Sequence, residues 1–222
     1  MSHEDDDAPT GDPVCFAHML VDGHMVDPQT WKDVSVFRKA ERARLYAARQ
    51  AVSAEDRKAM SGRISQRLTE ILGDVNGLRI AMYWPIRGEL NLRPWMVEAS
   101  GIGAHICLPV VIEKDQPVEF HRWTPDSAMA KGIWNIPVPA DAVPVVPDVV
   151  IVPLLGVDEN GYRLGNGGGY YDRTLARLPQ DLLTIGVGQT FCRMKTIFPM
   201  PWDIPMKKVV LGDGSVSEYP AK

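Results

Sequence analysis

Apolar residues recur at helical spacing in the first third of the chain. The segment from Val34 to Arg49 contains neither Gly nor Pro and predicts a basic helix. Ser53, three residues before Asp56, resembles a capping box and predicts the start of a second helix that runs to about Leu72. One face of this second helix carries its apolar positions, which are Met60, Ile64, Leu68, Ile71 and Leu72.

The apolar pattern then shortens to the spacing of strands. The run from Val149 to Leu155 is continuously apolar, which is typical of a strand buried on both faces. The proline-rich stretch 125–147 predicts a loop or a sheet edge. Short helices are predicted at 93–98 and 170–178. The remaining predicted strands are 78–84, 105–109, 118–123, 183–187 and a short one near 209–210.

This alternation of strands and helices predicts an α/β fold. We expect a three-layer α/β/α arrangement with a mostly parallel central sheet, of the Rossmann-like type. The length of 222 residues suits a single domain, which we assign to residues 31–222. Residues 1–30 carry Asp, Pro, Gly and Met without a stable period, and they predict a flexible N-terminal extension.

Composition and charge exclude several classes of partner. The net charge of -4 and the pI of about 5.7 argue against duplex nucleic acid, which requires a basic face. The first ten residues do not resemble a signal peptide, and no apolar run approaches the ~20 residues that span a bilayer. The three cysteines show no pairing or metal spacing. We therefore expect a cytoplasmic protein with neither a nucleic-acid nor a membrane partner.

A glycine-rich loop carries the strongest chemical signal. Residues 165–169 read Gly-Asn-Gly-Gly-Gly, follow the most hydrophobic strand and open into the helix predicted at Tyr170. Glycines let backbone N–H groups converge on an anion, and a helix start adds further donors. The loop lacks the Gly-Lys-Ser/Thr of a Walker A motif and the last glycine of the dinucleotide fingerprint. It predicts a phosphate site of another kind, with an ordinary flexible turn as the alternative.

Five charged residues are candidates for the chemistry around that loop. Asp172 and Asp203 suit Mg²⁺, which takes one or two carboxylates together with phosphate oxygens, although the helix dipole alone explains an acid at 172. Arg38 and Arg42 lie one helical turn apart and could clamp a polyphosphate, or they belong to a solvated basic helix. Glu89 follows a strand end, where open sheets bind ligands, or it is an exposed loop residue.

The run Gly-Tyr-Arg-Leu-Gly-Asn-Gly-Gly-Gly-Tyr-Tyr-Asp-Arg at 161–173 resembles the hallmark G-x-R-L-G-x-G-x-G-Y-Y-D of the 5-formyltetrahydrofolate cyclo-ligase (methenyltetrahydrofolate synthetase) family. The resemblance covers roughly residues 36–210. Four further stretches fall in the family's order, namely the basic helix ending at 49–53, the strand-loop 83–91, the strand at 108–109 and the segment 199–203.

The resemblance implies a fold, a reaction and partners. The fold is the NagB/RpiA/CoA transferase-like α/β fold. The reaction is a MgATP-dependent ligase reaction of one-carbon metabolism that cyclises 5-formyltetrahydrofolate to 5,10-methenyltetrahydrofolate and releases ADP and phosphate. The partners are therefore ATP and a reduced folate, with Mg²⁺ as the metal, and we expect a cytoplasmic monomer.

The resemblance also implies roles for individual residues. The catalytic pair is Tyr170 and Arg163. The ATP-binding set is Arg38, Lys39, Arg42, Arg163, Leu164, Gly165, Asn166, Gly167, Gly168, Gly169, Tyr170 and Tyr171. The folate-binding set is Trp84, Glu89, Asn166, Gly167, Gly168, Gly169 and Tyr170. The metal ligands are Asp172 and Asp203.

The chain departs from the family pattern at five positions, which are Arg38 for Lys, Leu92 for a hydroxyl residue, Val138 for Glu, Trp202 for a common His and Lys207 for a second Asp. The phosphate machinery is kept better than the surroundings of the organic substrate. Two other functions therefore stay open, a divergent paralogue that activates another carbonyl or amide, and a non-catalytic nucleotide- or folate-binding module. A sugar-phosphate or CoA-type enzyme on a similar sheet also stays open, since a fold alone does not assign a function.

Overall fold

The computed structural model describes residues 19–21 and 23–220. The first part of the predicted extension, residues 1–18, lies outside the described residues. Its last part forms a hairpin of two short strands, β1 (Met19–Val21) and β2 (His24–Val26), followed directly by a helix. The predicted boundary at residue 30 falls inside this helix, because Pro28 and the Asp27 cap start the helix there.

Four α-helices follow the predicted pattern with shifted ends. They are α1 (Pro28–Ala51), α2 (Ala54–Leu72), α3 (Arg93–Gly101) and α4 (Tyr170–Leu175). Helix α2 begins as predicted, with the Ser53 side chain accepting a hydrogen bond from the Asp56 N–H at 3.0 Å. Helix α4 ends before the predicted residue 178, because Pro179 disfavours helical backbone at the residue before it. Within the described residues, no helix has both the length and the apolarity to cross a bilayer.

One large sheet contains most of the strands. It is built from β3 (Arg79–Ala81), β4 (His105–Val110), β5 (Glu119–Arg122), β8 (Val149–Pro153), β11 (Leu183–Gly188), β12 (Lys208–Leu211) and β13 (Val216–Glu218). Besides the hairpin β1–β2, two further small hairpins lie outside this sheet, formed by β6 (Met129–Lys131) with β7 (Pro137–Pro139) and by β9 (Gly156–Val157) with β10 (Arg163–Leu164). Strand β13, which the sequence pattern did not predict, pairs with β12.

The sheet confirms the predicted, mostly parallel α/β fold. Its strand order is β13-β12-β11-β8-β3-β4-β5. The five inner strands run parallel to one another, and the two edge strands, β13 and β5, are antiparallel to their neighbours. The chain moves outward in one direction from β3 to β4 and in the other from β8 to β11. The gap beyond the carboxyl ends of β3 and β8 is therefore a topological switch point, where open α/β sheets bind ligands.

Alternating residues of the inner strands form two cores, one on each face of the sheet. Ile80, Ile106 and Ile151 lie in the core that helices α2 and α3 cover. Their neighbours Cys107 and Val150 lie in the opposite core, which Leu175 of the short helix α4 and the following loop cover. This alternation follows from the two-residue period of a strand. Helix α1 packs instead across the loops beyond the strand ends, with Leu45 in a separate small cluster.

We predict that Ser53→Ala lowers the free energy of unfolding by about 1 kcal/mol, because it removes the acceptor that caps α2. Urea denaturation followed by circular dichroism measures the change. Ser65→Ala in the interior of the same helix is the matched control, and Ala there should be neutral or slightly stabilising. Equal losses in the two variants would show that the cap contributes nothing specific.

Candidate active site

A cleft with a volume of about 1650 Å³ opens at the topological switch point. It brings together every site residue expected from the sequence except one. Those that line it are Arg38, Arg42, Trp84, Glu89, Arg163, Leu164, Gly165, Asn166, Gly167, Gly168, Gly169, Tyr170, Tyr171, Asp172 and Asp203. Four separate stretches of the chain therefore meet in one cavity.

The exception is Lys39, which was assigned to the ATP-binding set. The structure places it on the exposed surface of α1 and outside the cleft lining. The reason is helical geometry, since one residue turns a helix by about 100° and Arg38 already faces the cleft. The ATP-binding role expected for Lys39 therefore stays a prediction, which its position does not support.

Helix α1 presents a single stripe to the cleft and the loops beneath it. Trp31, Arg38, Arg42 and Arg49 are spaced by seven, four and seven residues, which are close to two, one and two helical turns. Arg38 and Arg49 are buried, with 7% and 1% of their surfaces exposed. The predicted basic helix is thus not merely solvated, because its stripe of arginines faces the protein.

The glycine loop is held against this stripe by Arg42, whose Nε donates to the Gly165 carbonyl at 2.9 Å. Gly167 and Gly169 have positive φ angles of 101° and 66°, a backbone region that residues with a Cβ rarely adopt. Helix α4, which follows, is only six residues long. Its dipole is correspondingly short, so the cationic charge facing the loop comes mainly from the guanidinium groups.

Arg38 and Asp203 form a buried ion pair at one end of the loop. Arg38 also donates to the carbonyls of Ile197 and Phe198, each at 2.9 Å, and Asp203 accepts from the Met200 N–H at 2.6 Å. This bonding fixes the segment 197–203 against α1. The guanidinium of Arg38 thus already bonds to two carbonyls and a carboxylate of the protein. The phosphate-binding role expected for Arg38 stays a prediction.

A second ion pair joins Arg163 to Asp172, with 2.6 Å between Nη2 and Oδ2. Burial raises the pKa of Asp172, and Asp203 raises it further, while Arg163 opposes both effects. The two carboxylates therefore lie close enough to interact, and both supply the hard oxygen atoms that Mg²⁺ prefers. Among the described residues, no group of three or more His, Cys, Asp or Glu side chains could hold a metal ion by itself. Two carboxylates without a third protein ligand fit a Mg²⁺ ion whose remaining ligands are phosphate oxygens and water, as when the ion arrives bound to a polyphosphate.

Glu89 lies at the opposite end of the loop in a buried polar network. Its carboxylate accepts from the Ile86 N–H at 3.0 Å, lies near the side chain of Asn166 and lies 3.9 Å from the Arg49 guanidinium. Asn166 in turn accepts from the Tyr46 hydroxyl at 2.6 Å. Burial raises the pKa of Glu89, against the lowering effect of these partners. The bland expectation of an exposed loop glutamate is therefore wrong.

The aromatic residues of the cleft also occupy definite places. Trp84 lies under the guanidinium of Arg93, 4.8 Å from ring centre to Cζ. The Tyr170 hydroxyl accepts from the Asp115 N–H at 3.1 Å, and the Tyr170 ring meets Trp134 edge to face. Burial raises the pKa of Tyr171.

Sequence reasoning missed three of these site residues. Arg49 and Tyr46 carried a signal, because they continue the helical stripe of Arg38 and Arg42. Trp134 carried none, since it depends on a hairpin, β6–β7, within a stretch predicted to be loop or edge. Of the departures from the family pattern, Val138, Trp202 and Lys207 line the cleft, whereas Leu92 is a core residue with 1% of its surface exposed.

We predict that Arg163→Met destabilises the protein by roughly 3 kcal/mol at neutral pH, because Asp172 is left as an unpaired buried carboxylate. The loss should grow as pH rises above about 4, since the unfolded chain then releases the Asp172 proton while the folded variant resists doing so. Urea denaturation at pH 5 and pH 8 measures it. Adding Asp172→Asn should abolish the pH dependence, and a loss equal at both pH values would contradict this account of the pair.

Comparisons with known proteins agree with this geometry. A sequence model described as the 5-formyltetrahydrofolate cyclo-ligase family matches residues 34–212. The 5-formyltetrahydrofolate cyclo-ligase of Escherichia coli K12 is 32% identical over 170 residues, covering 73% of this chain and 93% of its own.

Solved structures extend the likeness to the fold. The 5,10-methenyltetrahydrofolate synthetase of Aquifex aeolicus superposes with a TM-score of 0.70 at 28% identity, covering 82% of this chain and 92% of its own. That of Mycoplasma pneumoniae gives 0.65 at 24% identity, covering 78% and 96%, and supports the fold alone. With the glycine loop and its ion-paired carboxylates inside the matched region, the chain belongs to the 5-formyltetrahydrofolate cyclo-ligase family.

Proposed function

We propose that this protein catalyses the ATP-dependent cyclisation of 5-formyltetrahydrofolate to 5,10-methenyltetrahydrofolate, with release of ADP and phosphate. The observation that carries the proposal is the single cleft in which the glycine loop, two arginine–carboxylate pairs and the buried Glu89 meet. Membership of the family supports the same reaction.

The chemistry explains why ATP is needed. The formyl oxygen belongs to an amide-like group and is a poor leaving group. In the proposed reaction it attacks the γ-phosphorus and ADP departs. The neighbouring folate nitrogen then attacks the activated carbon, and inorganic phosphate leaves with the former formyl oxygen. Such a reaction asks the protein for positioning and charge neutralisation rather than for a nucleophile.

The cleft supplies cationic charge where the phosphates would lie. Arg42 already holds the Gly165 carbonyl, and the positive-φ glycines leave the loop without side chains that would obstruct a phosphate. We assign Arg163 and Tyr170 to the site of phosphoryl transfer, because both line the cleft beside this loop. The Asp115 N–H donates to the Tyr170 hydroxyl, which fixes that ring and leaves the hydroxyl proton free to point elsewhere.

Asp172 and Asp203 would hold Mg²⁺ together with phosphate oxygens. When bound, the ion would neutralise charge on the β- and γ-phosphates. The protein's own contribution is to hold both carboxylates in place despite their burial, and Arg163 and Arg38 each do this through an ion pair.

The folate end of the cleft is assigned to Glu89 and Trp84. A pterin presents an edge of N–H donors, from which a carboxylate accepts hydrogen bonds well, and the Ile86 N–H holds the Glu89 carboxylate in place. Trp84 offers a ring surface beside it in the same cavity. We further propose a cytoplasmic monomer, and the free, buried Cys107 and Cys192 suit a reducing compartment.

The competing function, activation of another carbonyl or amide substrate, rests on the departures Val138, Trp202 and Lys207 in the cleft. Incubation of the protein with ATP, Mg²⁺ and 5-formyltetrahydrofolate separates the two. The methenyl product absorbs near-ultraviolet light that the substrate does not, so the proposal predicts a growing absorbance matched by ADP release. ATP binding without that absorbance would favour the competing function.

In this assay we predict that Asp172→Asn and Asp203→Asn each lower turnover by about a hundredfold or more and weaken its dependence on Mg²⁺, because phosphoryl transfer relies on the neutralised charge. Steady-state rates over a Mg²⁺ titration measure both effects. Asp181→Asn, at an exposed position outside the cleft, is the control. Near-normal rates in both site variants would refute the metal assignment.

We predict that Glu89→Gln raises the KM for the folate at least about tenfold while changing the KM for ATP little, because it removes a charged acceptor from one end of the cleft only. The wild-type KM for the folate should also rise as pH falls, because protonation removes the charge of Glu89. This rise should begin at a pH above the ordinary pKa of glutamate, since burial raises the pKa of Glu89. The variant should lose that pH dependence, whereas Glu98→Gln on the exposed face of α3 should keep it. Equal changes in both KM values would count against the pterin role.

A further inference from the structure

Three aromatic side chains line the cleft beyond Asp203, at the end opposite Glu89. They are His24, Trp31 and Trp202, and we refer to them together as the aromatic wall. The Trp31 and Trp202 rings meet edge to face with 5.2 Å between centroids, and the His24 ring lies 6.1 Å from Trp202. Both tryptophans are half-buried and His24 is exposed, so the wall retains ring surface toward the cavity.

The wall is rigidly supported from beneath. Val26, Val34 and Met200 form a buried cluster, against which Trp31 and Trp202 pack. Trp202 is also flanked by the segment that Arg38 ties to α1. A supported pair of large rings is well suited to stacking, because little side-chain freedom remains to be lost on binding.

Two of the three residues come from outside the part of the chain that matches the family. His24 belongs to the hairpin β1–β2 and Trp31 to the first turn of α1, whereas the family match begins at residue 34. The segment before the match therefore contributes directly to the ligand cleft. None of the site roles assigned above explains this.

The stripe on α1 fixes the order of the groups along the cleft. Arg49 adjoins Glu89, Arg42 binds the glycine loop, Arg38 binds Asp203, and Trp31 comes last. At 1.5 Å per residue, Trp31 and Arg42 are separated by roughly 16 Å along the helix, about the length of an extended nucleoside triphosphate. The wall thus lies one nucleotide's length from the loop that faces the phosphates.

We propose that the aromatic wall binds the purine base of ATP by stacking. This inference rests on the proposed function for its direction. The γ-phosphate must face the formyl group, which lies at the Glu89 end, and the base must then lie at the other end of the triphosphate. An aromatic surface at that end gives the base a partner that the phosphate loop does not supply, since stacking on aromatic side chains accepts any flat heterocycle.

The test compares the binding of two ligands that share the phosphates and differ in the base. Calorimetric titrations with MgATP and with inorganic tripolyphosphate plus Mg²⁺ are made on the full chain and on Trp31→Ala. The proposal predicts that Trp31→Ala weakens MgATP binding about tenfold or more, as the loss of one stacked base would. Tripolyphosphate binding should stay within about twofold, since that ligand has no base to stack.

Two further variants keep this outcome interpretable. Trp31→Phe preserves an aromatic face and should restore most of the MgATP affinity. Leu20→Ala, at a hairpin position with 70% of its surface exposed and outside the cleft lining, should behave as wild type. Unchanged MgATP affinity in Trp31→Ala would overturn the proposal, as would equal losses for both ligands or no recovery with Trp31→Phe.

The same preparations separate this inference from the proposed function. Wall-dependent MgATP binding without methenyl formation would leave the stacking site standing and overturn the cyclisation. Methenyl formation with an unchanged KM for ATP in Trp31→Ala would support the cyclisation and overturn the stacking site. A rise in the folate KM instead of the ATP KM would assign the wall to the other substrate and contradict the order along α1.

Discussion

The structure depends on the burial of arginines from one helix against the loops that bind the ligands. Arg38, Arg42 and Arg49 of α1 each donate to a backbone carbonyl in a different loop, at Ile197, Gly165 and Leu154. Burying a guanidinium group without hydrogen-bond partners costs much free energy. Helix α1 can therefore pack here only when the loops that supply the partner carbonyls pack against it. This constraint gathers three loops into one cleft beyond the strand ends, and Arg38 and Arg42 line that cleft.

The carboxylates of the site are a consequence of that arrangement. Asp203 and Asp172 each form an ion pair with an arginine, and Glu89 lies beside Arg49 and near Asn166. Burial still raises the pKa of Asp172 and Glu89. Asn166 accepts from Tyr46 as well, so one residue of the glycine loop connects α1 to the proposed folate end. The glycine loop therefore lies between the phosphate and folate ends and contacts α1 at both Gly165 and Asn166.

Much of this could be predicted from the sequence, because the relevant signals are local. The buried run before Leu155, the Ser53 cap and the glycine loop each specify their own structure. The sequence places Arg38 and Arg42 on one face of α1, but this stripe was not extended by two more turns to Arg49, and the ATP-binding role of Lys39 comes from the resemblance alone. The contact of Trp134 with Tyr170 and the ion pair of Arg38 with Asp203 join segments far apart in the sequence, which no local pattern encodes.

The central claim is that the cleft transfers the γ-phosphoryl group of ATP to the formyl oxygen of the folate. The most direct measurement uses 5-formyltetrahydrofolate that carries a heavy-oxygen isotope in its formyl group. During turnover with MgATP, mass spectrometry of the products should find the label in inorganic phosphate, in step with methenyl formation. Methenyl product formed with unlabelled phosphate, or label released into water, would contradict the claim.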